Sequence, residues 1–159
     1  MIIWDDCLKI FPTFSDETFD LVLTDPPYNI SNEIVISRGS QGKYKGNDIT
    51  SDFGEWDNFV DEAAYERFTE IWCRDCFRVL KPGGFLISFF DKRRLSLIPN
   101  ILEPLGMKTR DVVTWIKRNP VPQVRRVKFA QASEMAIIMS KPGPNRFQWQ
   151  NGYHPNYIK

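Results

Sequence analysis

Two short stretches of this chain, residues 21–24 and 85–90, are apolar almost without interruption. A strand with one wet face alternates apolar and polar residues, so an unbroken apolar run predicts a central strand covered on both faces. Further strand candidates, short and rich in β-formers, are residues 1–4, 112–117 and 135–140. Between the two apolar runs, Ala64, Phe68, Ile71, Trp72, Cys76 and Val79 recur at helical spacing, with Glu66, Arg67, Glu70, Arg74 and Arg78 on the other faces. Lys81-Pro82-Gly83-Gly84 is expected to end that helix and turn the chain into the next strand. A weaker helical pattern uses Leu95, Ile98, Leu102 and Leu105, and Pro99 within it requires a kink or a later start. Strand, helix, strand, helix, strand predicts an α/β domain with a mainly parallel sheet, its last two strands forming an antiparallel pair.

The 159 residues suffice for a single domain with its own core. No apolar run approaches the roughly 20 residues of a membrane helix, so no membrane partner is expected. The first residues carry no basic segment ahead of their apolar ones, and the expected location is the cytoplasm. Cys73 and Cys76 have C-x-x-C spacing but lie inside the helical pattern. With no second cysteine pair and His154 as the sole histidine, a four-ligand zinc site cannot be assembled, and no metal is expected.

The net charge of +1 conceals a division. Residues 1–75 hold 6 Lys/Arg against 16 Asp/Glu, a balance of −10, whereas residues 76–159 hold 15 against 4, a balance of +11. Such asymmetry suits a polyanionic partner for the basic half. Two long polar stretches interrupt the α/β pattern, residues 31–56 and 119–128. Loops of that length in a compact domain are functional or disordered. The first, with Arg38, Lys43, Tyr44 and Lys45 among its glycines, is expected to be a mobile lid. The second is expected to open a nucleic-acid-contacting region over residues 119–159.

The chemistry-bearing motif is Asp25-Pro26-Pro27-Tyr28, directly after the first apolar run. In open α/β sheets, ligands bind at the carboxyl ends of strands. The prolines hold the chain extended and remove two backbone donors, leaving carbonyls as acceptors. A carboxylate and a carbonyl side by side suit a planar exocyclic amine. Its lone pair is delocalised into the ring, and an acceptor on each hydrogen draws the nitrogen toward a tetrahedral, nucleophilic form. Orientation and electrostatics supply such catalysis. Tyr28 adds an aromatic face on which an extruded base can stack.

The segment from Asp5-Asp6-Cys7-Leu8 through Thr24-Asp25-Pro26-Pro27-Tyr28-Asn29 resembles the opening of DNA amino-methyltransferases of the β arrangement. Arg78-Val79-Leu80-Lys81-Pro82-Gly83-Gly84, and Trp115-Ile116-Lys117-Arg118-Asn119-Pro120 with Glu134 downstream, resemble later parts of the same family. The resemblance implies a Rossmann-like methyltransferase fold with an antiparallel last strand. It implies Asp25, Pro26, Pro27 and Tyr28 as catalytic residues and S-adenosylmethionine as cofactor, with Asp6, Cys7 and Asp25 beside it. Adenine N6 is the implied target, because Asp in the first motif position is commoner in adenine enzymes. Cytosine N4 is the alternative, and a non-catalytic DNA-binding remnant is the rival from another class. Double-stranded DNA is the implied partner, with Lys117, Arg118, Arg125, Arg126 and Lys128 as candidate phosphate contacts. A homodimer is an open alternative to a monomer.

The family's Phe-x-Gly-x-Gly turn, which cradles the methionine part of the cofactor, is not found in this sequence. The glycine-containing segments Gly39-Ser40-Gln41-Gly42, Pro82-Gly83-Gly84 and Pro142-Gly143-Pro144 do not match it. In the β arrangement that turn follows the target-recognition segment, so the fold is expected to be incomplete here, in a fragment or a truncated gene product. Enzymes acting on protein glutamine or ribosomal RNA guanine place the turn well upstream, and the 24 residues ahead of Asp25 leave no room for it. His154-Pro155 with Lys159 does not fit the family's spacing, and His154 is expected to be a surface residue.

Overall fold

The computed structural model describes residues 2–30, 35–36, 49–50, 55–121, 129–144 and 154–159. Contacts divide the chain into two compact units, Met1–Pro26 with Phe68–Lys159, and Pro27–Arg67.

The first unit contains helix α1 (Cys7–Ile10), strand β1 (Phe19–Thr24), most of helix α2 (Glu62–Val79), strand β4 (Leu80–Phe90), helix α3 (Leu97–Leu102), the long strands β5 (Lys108–Val121) and β6 (Gln131–Ser140), and the two-residue strand β7 (Tyr157–Ile158). Strands β2 (Val35–Ile36) and β3 (Ile49–Thr50) pair antiparallel in the second unit. Among the described residues the main sheet has the order β1-β4-β6-β5-β7. β1 pairs parallel with β4, β6 runs antiparallel to both β4 and β5, and β7 is parallel to β5. Within this sheet all strands except β6 therefore point one way, as the expected reversal of the last apolar strand requires.

The burial pattern explains why β4 is central. Leu86, Ser88 and Phe90 are buried, and Phe85, Ile87 and Phe89 on the opposite face are half-buried. On α2, Thr69, Trp72, Cys73, Cys76 and Val79 form one buried stripe at helical spacing. Its C-terminal Arg78 gathers the chain before β1, donating to the carbonyls of Phe11 and Phe14, both at 2.8 Å, and to Asp16 Oδ1 at 2.9 Å.

Three expectations change. Residues 2–4 are not a strand: Ile2, Ile3 and Trp4 are 97%, 46% and 100% exposed, and among the described residues they have no ladder partner. β1 lies at a sheet edge among the described residues, with Leu21 51% and Leu23 64% exposed, so the cover that its apolar run predicted is not present on that face. The Lys81-Pro82-Gly83-Gly84 segment does not stand between helix and strand. It lies inside β4, as an irregularity in which pairing jumps from Phe19↔Leu80 to Leu21↔Phe85. Of the kink or later start that Pro99 requires, the structure shows the later start: α3 begins at Leu97, which leaves the proline in its first turn, where no intrahelical N–H bond is lost.

No helix among the described residues is long and apolar enough to cross a membrane.

Candidate active site

Asp25 and Pro26 close the first unit immediately beyond the carboxyl end of β1, with Asp25 exposed and Pro26 buried. β4 runs parallel to β1, with Thr24 paired to Ser88, and the residue directly after it is a second acid, Asp91. Burial alone would raise the Asp91 carboxyl. Hydrogen bonds from the Arg93 side chain and backbone, with the Arg93 and Arg94 charges, outweigh it and hold the group below the usual range. Sequence reading singled out Asp25 and passed over Asp91. The missed signal was its position, an acid directly after an apolar strand.

Pro27 and Tyr28 open the second unit, and their backbone is tightly held there. The Asp57 carboxylate accepts three consecutive amides: Tyr28 N–H at 2.6 Å and Asn29 N–H at 2.7 Å on Oδ1, and Ile30 N–H at 3.0 Å on Oδ2. Asp57 is 1% exposed, and a buried carboxylate is tolerated only with such partners. Bonds of this charge-assisted kind contribute about 1.5–3 kcal/mol each. Asn29 stands at φ 54°, the left-handed region that asparagine enters more readily than most residues. Its Oδ1 accepts the Phe59 N–H at 3.3 Å. The Tyr65 hydroxyl, on the first turns of α2, donates to the Pro27 carbonyl at 3.0 Å, and its ring meets Phe59 edge-on at 5.2 Å. Asp61 caps α2 by accepting the Ala64 N–H at 2.6 Å. Asp57 and Tyr65 escaped the sequence reading, since neither belongs to a repeating pattern. An isolated acid between Trp56 and Phe59, just ahead of a helix, was the available clue.

The candidate cofactor residues Asp6 and Cys7 lie at the start of α1. Asp6 Oδ1 accepts the Leu8 N–H at 2.9 Å, which makes it the helix cap and leaves Oδ2 outside that bond. Cys7 is exposed, and partial burial of its sulfur, followed by the Asp6 charge, pushes its thiol up. Cys73 and Cys76 are buried, and burial pushes both thiols far above their ordinary value.

Of the candidate DNA contacts, Lys117 and Arg118 lie on β5, with Arg118 exposed. The Lys117 ammonium forms an ion pair with Glu134 on β6 and lies 5.9 Å from the centre of the Trp115 ring. Arg125, Arg126 and Lys128 lie outside the described residues, as do Arg38, Lys43, Tyr44 and Lys45. His154 is exposed.

The chain matches the DNA methylase family (N6_N4_Mtase) over residues 19–157. It belongs to that family. The type II methyltransferase M.HinfI of Haemophilus influenzae is 32% identical over 146 residues, covering 92% of this chain and 39% of M.HinfI. Solved DNA methyltransferase structures share the fold. The M1.HpyAVI–SAM complex superposes with a TM-score of 0.59 at 19% identity, covering 89% of this chain and 54% of the other. The cytosine-N4-specific PvuII DNA methyltransferase gives a TM-score of 0.65 at 14% identity, covering 97% and 54%. The fold is thus Rossmann-like, as these methyltransferases are, and the chain spans two fifths to about half the length of the relatives it matches.

Proposed function

We propose that this chain carries the target-amine half of an S-adenosylmethionine-dependent DNA methyltransferase, acting on the exocyclic amine of a base turned out of the duplex, with adenine N6 as the target. The observation that supports this most is the placement of Asp25-Pro26-Pro27-Tyr28. The motif starts at the carboxyl end of β1 and runs into backbone that Asp57 and Tyr65 hold in place.

The exposed Asp25 carboxylate and the Pro26 carbonyl accept the two amine hydrogens and draw the nitrogen lone pair out of the ring. The Pro27 carbonyl is engaged by Tyr65 and does not compete for the amine. Tyr28 offers its ring to the base, and stacking of this kind is worth about 1–3 kcal/mol per base. Asp6 suits the adenosine end of the cofactor as an acceptor: it is an exposed carboxylate, and the cap bond occupies only one of its oxygens, while Asp25 lies beside the methyl that is transferred. S-adenosylmethionine supplies, when bound, a sulfonium methyl open to in-line attack. The exposed Arg118, with Arg125, Arg126 and Lys128, would track phosphates.

The test uses the protein as its gene encodes it, with methyl-labelled cofactor and duplex DNA, followed by digestion to nucleosides. Label in N6-methyladenine is the expected result. Label in N4-methylcytosine would overturn the adenine assignment alone, whereas no label in any nucleoside would overturn the methyltransferase reading.

A further inference from the structure

We propose that Asp57 is a positioning residue for methyl transfer, a built-in anion that locks the backbone from Tyr28 to Ile30 so that the Tyr28 ring is held where the extruded base must stack. This rests on the methyltransferase reading above, and it adds a residue that the motif itself does not contain.

Three features of the geometry carry it. First, three successive N–H groups converge on one carboxylate, which requires a backbone that switches hand. Asn29 at φ 54° supplies the switch. Such a run of amides is a concave anion site, and here the anion is a side chain 27 to 29 residues further along. Second, the bonds are not a local turn or helix cap. Asp61 caps α2, while Asp57 reaches back to the residues that follow the double proline. Third, the same stretch is held on both sides, by Tyr65 on the Pro27 carbonyl and by the Phe59 N–H on the Asn29 side chain. Residues 27 to 30 each have at least one such tie.

The chemistry explains why a carboxylate is used. Two oxygens, both acceptors only, can serve three amides. An asparagine of the same shape offers one acceptor and turns two donors toward a donor, so it keeps part of the lock at best. A displacement of about 1 Å at a site that works by orientation costs on the order of 100-fold in rate. The Tyr28 Cα is held by the hydrogen bond that its own N–H donates to Asp57, so loosening that bond loosens the stacking surface directly.

The experiment compares Asp57→Asn, Asp57→Ala and Tyr65→Phe with the unsubstituted chain. It reads kcat and KM for the cofactor, amide hydrogen exchange, and rescue by formate. Asp57→Asn is expected to lower kcat on the order of 10-fold and Asp57→Ala on the order of 100-fold, with KM for the cofactor unchanged. Exchange at Tyr28, Asn29 and Ile30 should accelerate while the amides of β4 and β6 stay protected. Formate, an anion small enough for the emptied amide cluster, should restore part of the turnover of Asp57→Ala, and chloride at equal ionic strength should not. Unchanged kcat with unchanged exchange at the three amides would overturn the proposal. So would loss of protection spread evenly through the sheet, because Asp57 would then serve only the fold. If Asp57→Ala does not fold, Asp57→Asn and Tyr65→Phe decide by the same readouts. Should the unsubstituted protein transfer no methyl to DNA, the methyltransferase reading fails, and exchange at the three amides still judges the lock.

Discussion

Lys117 on β5 is ion-paired with Glu134 on β6, and it reaches there diagonally, because the residue directly opposite Glu134 is Trp115. The pair keeps the Lys117 charge on the hairpin, at a site where its side chain is 33% exposed and that of Glu134 is 20% exposed. Its neighbour Arg118 is exposed. The two cations of this segment should therefore differ at a DNA surface. Arg118→Ala is expected to reduce the log–log salt slope of DNA binding by about 0.9, the value for one lost phosphate contact, and Lys117→Ala to leave it unchanged. Titrations of labelled duplex at several salt concentrations provide the check. Equal slope losses in both variants would show that Lys117 leaves Glu134 to meet phosphate.

The sequence showed which segments build the sheet better than it showed what holds the motif. The apolar runs of β1 and β4, the helical stripe of α2 and the antiparallel β5–β6 pair were legible because each repeats a pattern over several residues. β7 was not, since two residues at a sheet edge carry no period. Residues 2–4 have strand composition but no strand, because strand formation depends on a neighbour that composition cannot report. In the candidate site, Asp25 to Tyr28 could be read as a motif. Asp57 could not, because its role depends on three amides contributed by another part of the chain.

Gly83 marks a place where two chain segments touch. Its φ is 77°, its N–H donates to the carbonyls of Lys141 and Pro142, and a Cβ built on it would stand 1.9 Å from the Pro144 oxygen. An alanine there meets both a disfavoured backbone region and a backbone atom that cannot swing aside. Gly83→Ala is expected to destabilise the fold by more than about 2 kcal/mol, at the severe end of single substitutions. Urea denaturation followed by tryptophan fluorescence tests this. A loss below about 0.5 kcal/mol, the scale of an ordinary surface change, would mean that the junction with 142–144 yields easily.

Asp91 links stability to pH in a defined direction. Despite its burial, the bonds and charges of Arg93 and Arg94 hold its carboxyl below the ordinary value. The unfolded chain, with an aspartate near about 3.9, takes up the proton first as pH falls. The stabilisation is therefore present above about pH 3.9 and is lost as pH drops through the lower folded value. Asp91→Asn should lower Tm at neutral pH, and its deficit against the unsubstituted protein should shrink as the solution is acidified. Thermal melts from neutral pH down to strongly acid pH would show it. A deficit that stays constant over that range would assign the loss to packing rather than charge.

Asp25 separates binding from chemistry. It is exposed at the carboxyl end of β1, and in the proposed mechanism it touches the amine that reacts, not the phosphates that hold the duplex. Removing it should leave DNA affinity nearly intact and remove the acceptor that makes the amine nucleophilic. Losing a preorganised electrostatic contact of this kind costs on the order of 100- to 1000-fold in kcat. Asp25→Ala should therefore show at least that loss in labelled methyl transfer, with the dissociation constant for duplex DNA changed by less than about threefold, within roughly 0.6 kcal/mol. Asp25→Asn keeps one acceptor oxygen, and it should retain more turnover than alanine while staying well below the unsubstituted protein. If both variants turn over at the original rate, Asp25 has no part in polarising the amine. If both lose DNA binding and turnover together, the residue serves the interface with the duplex instead.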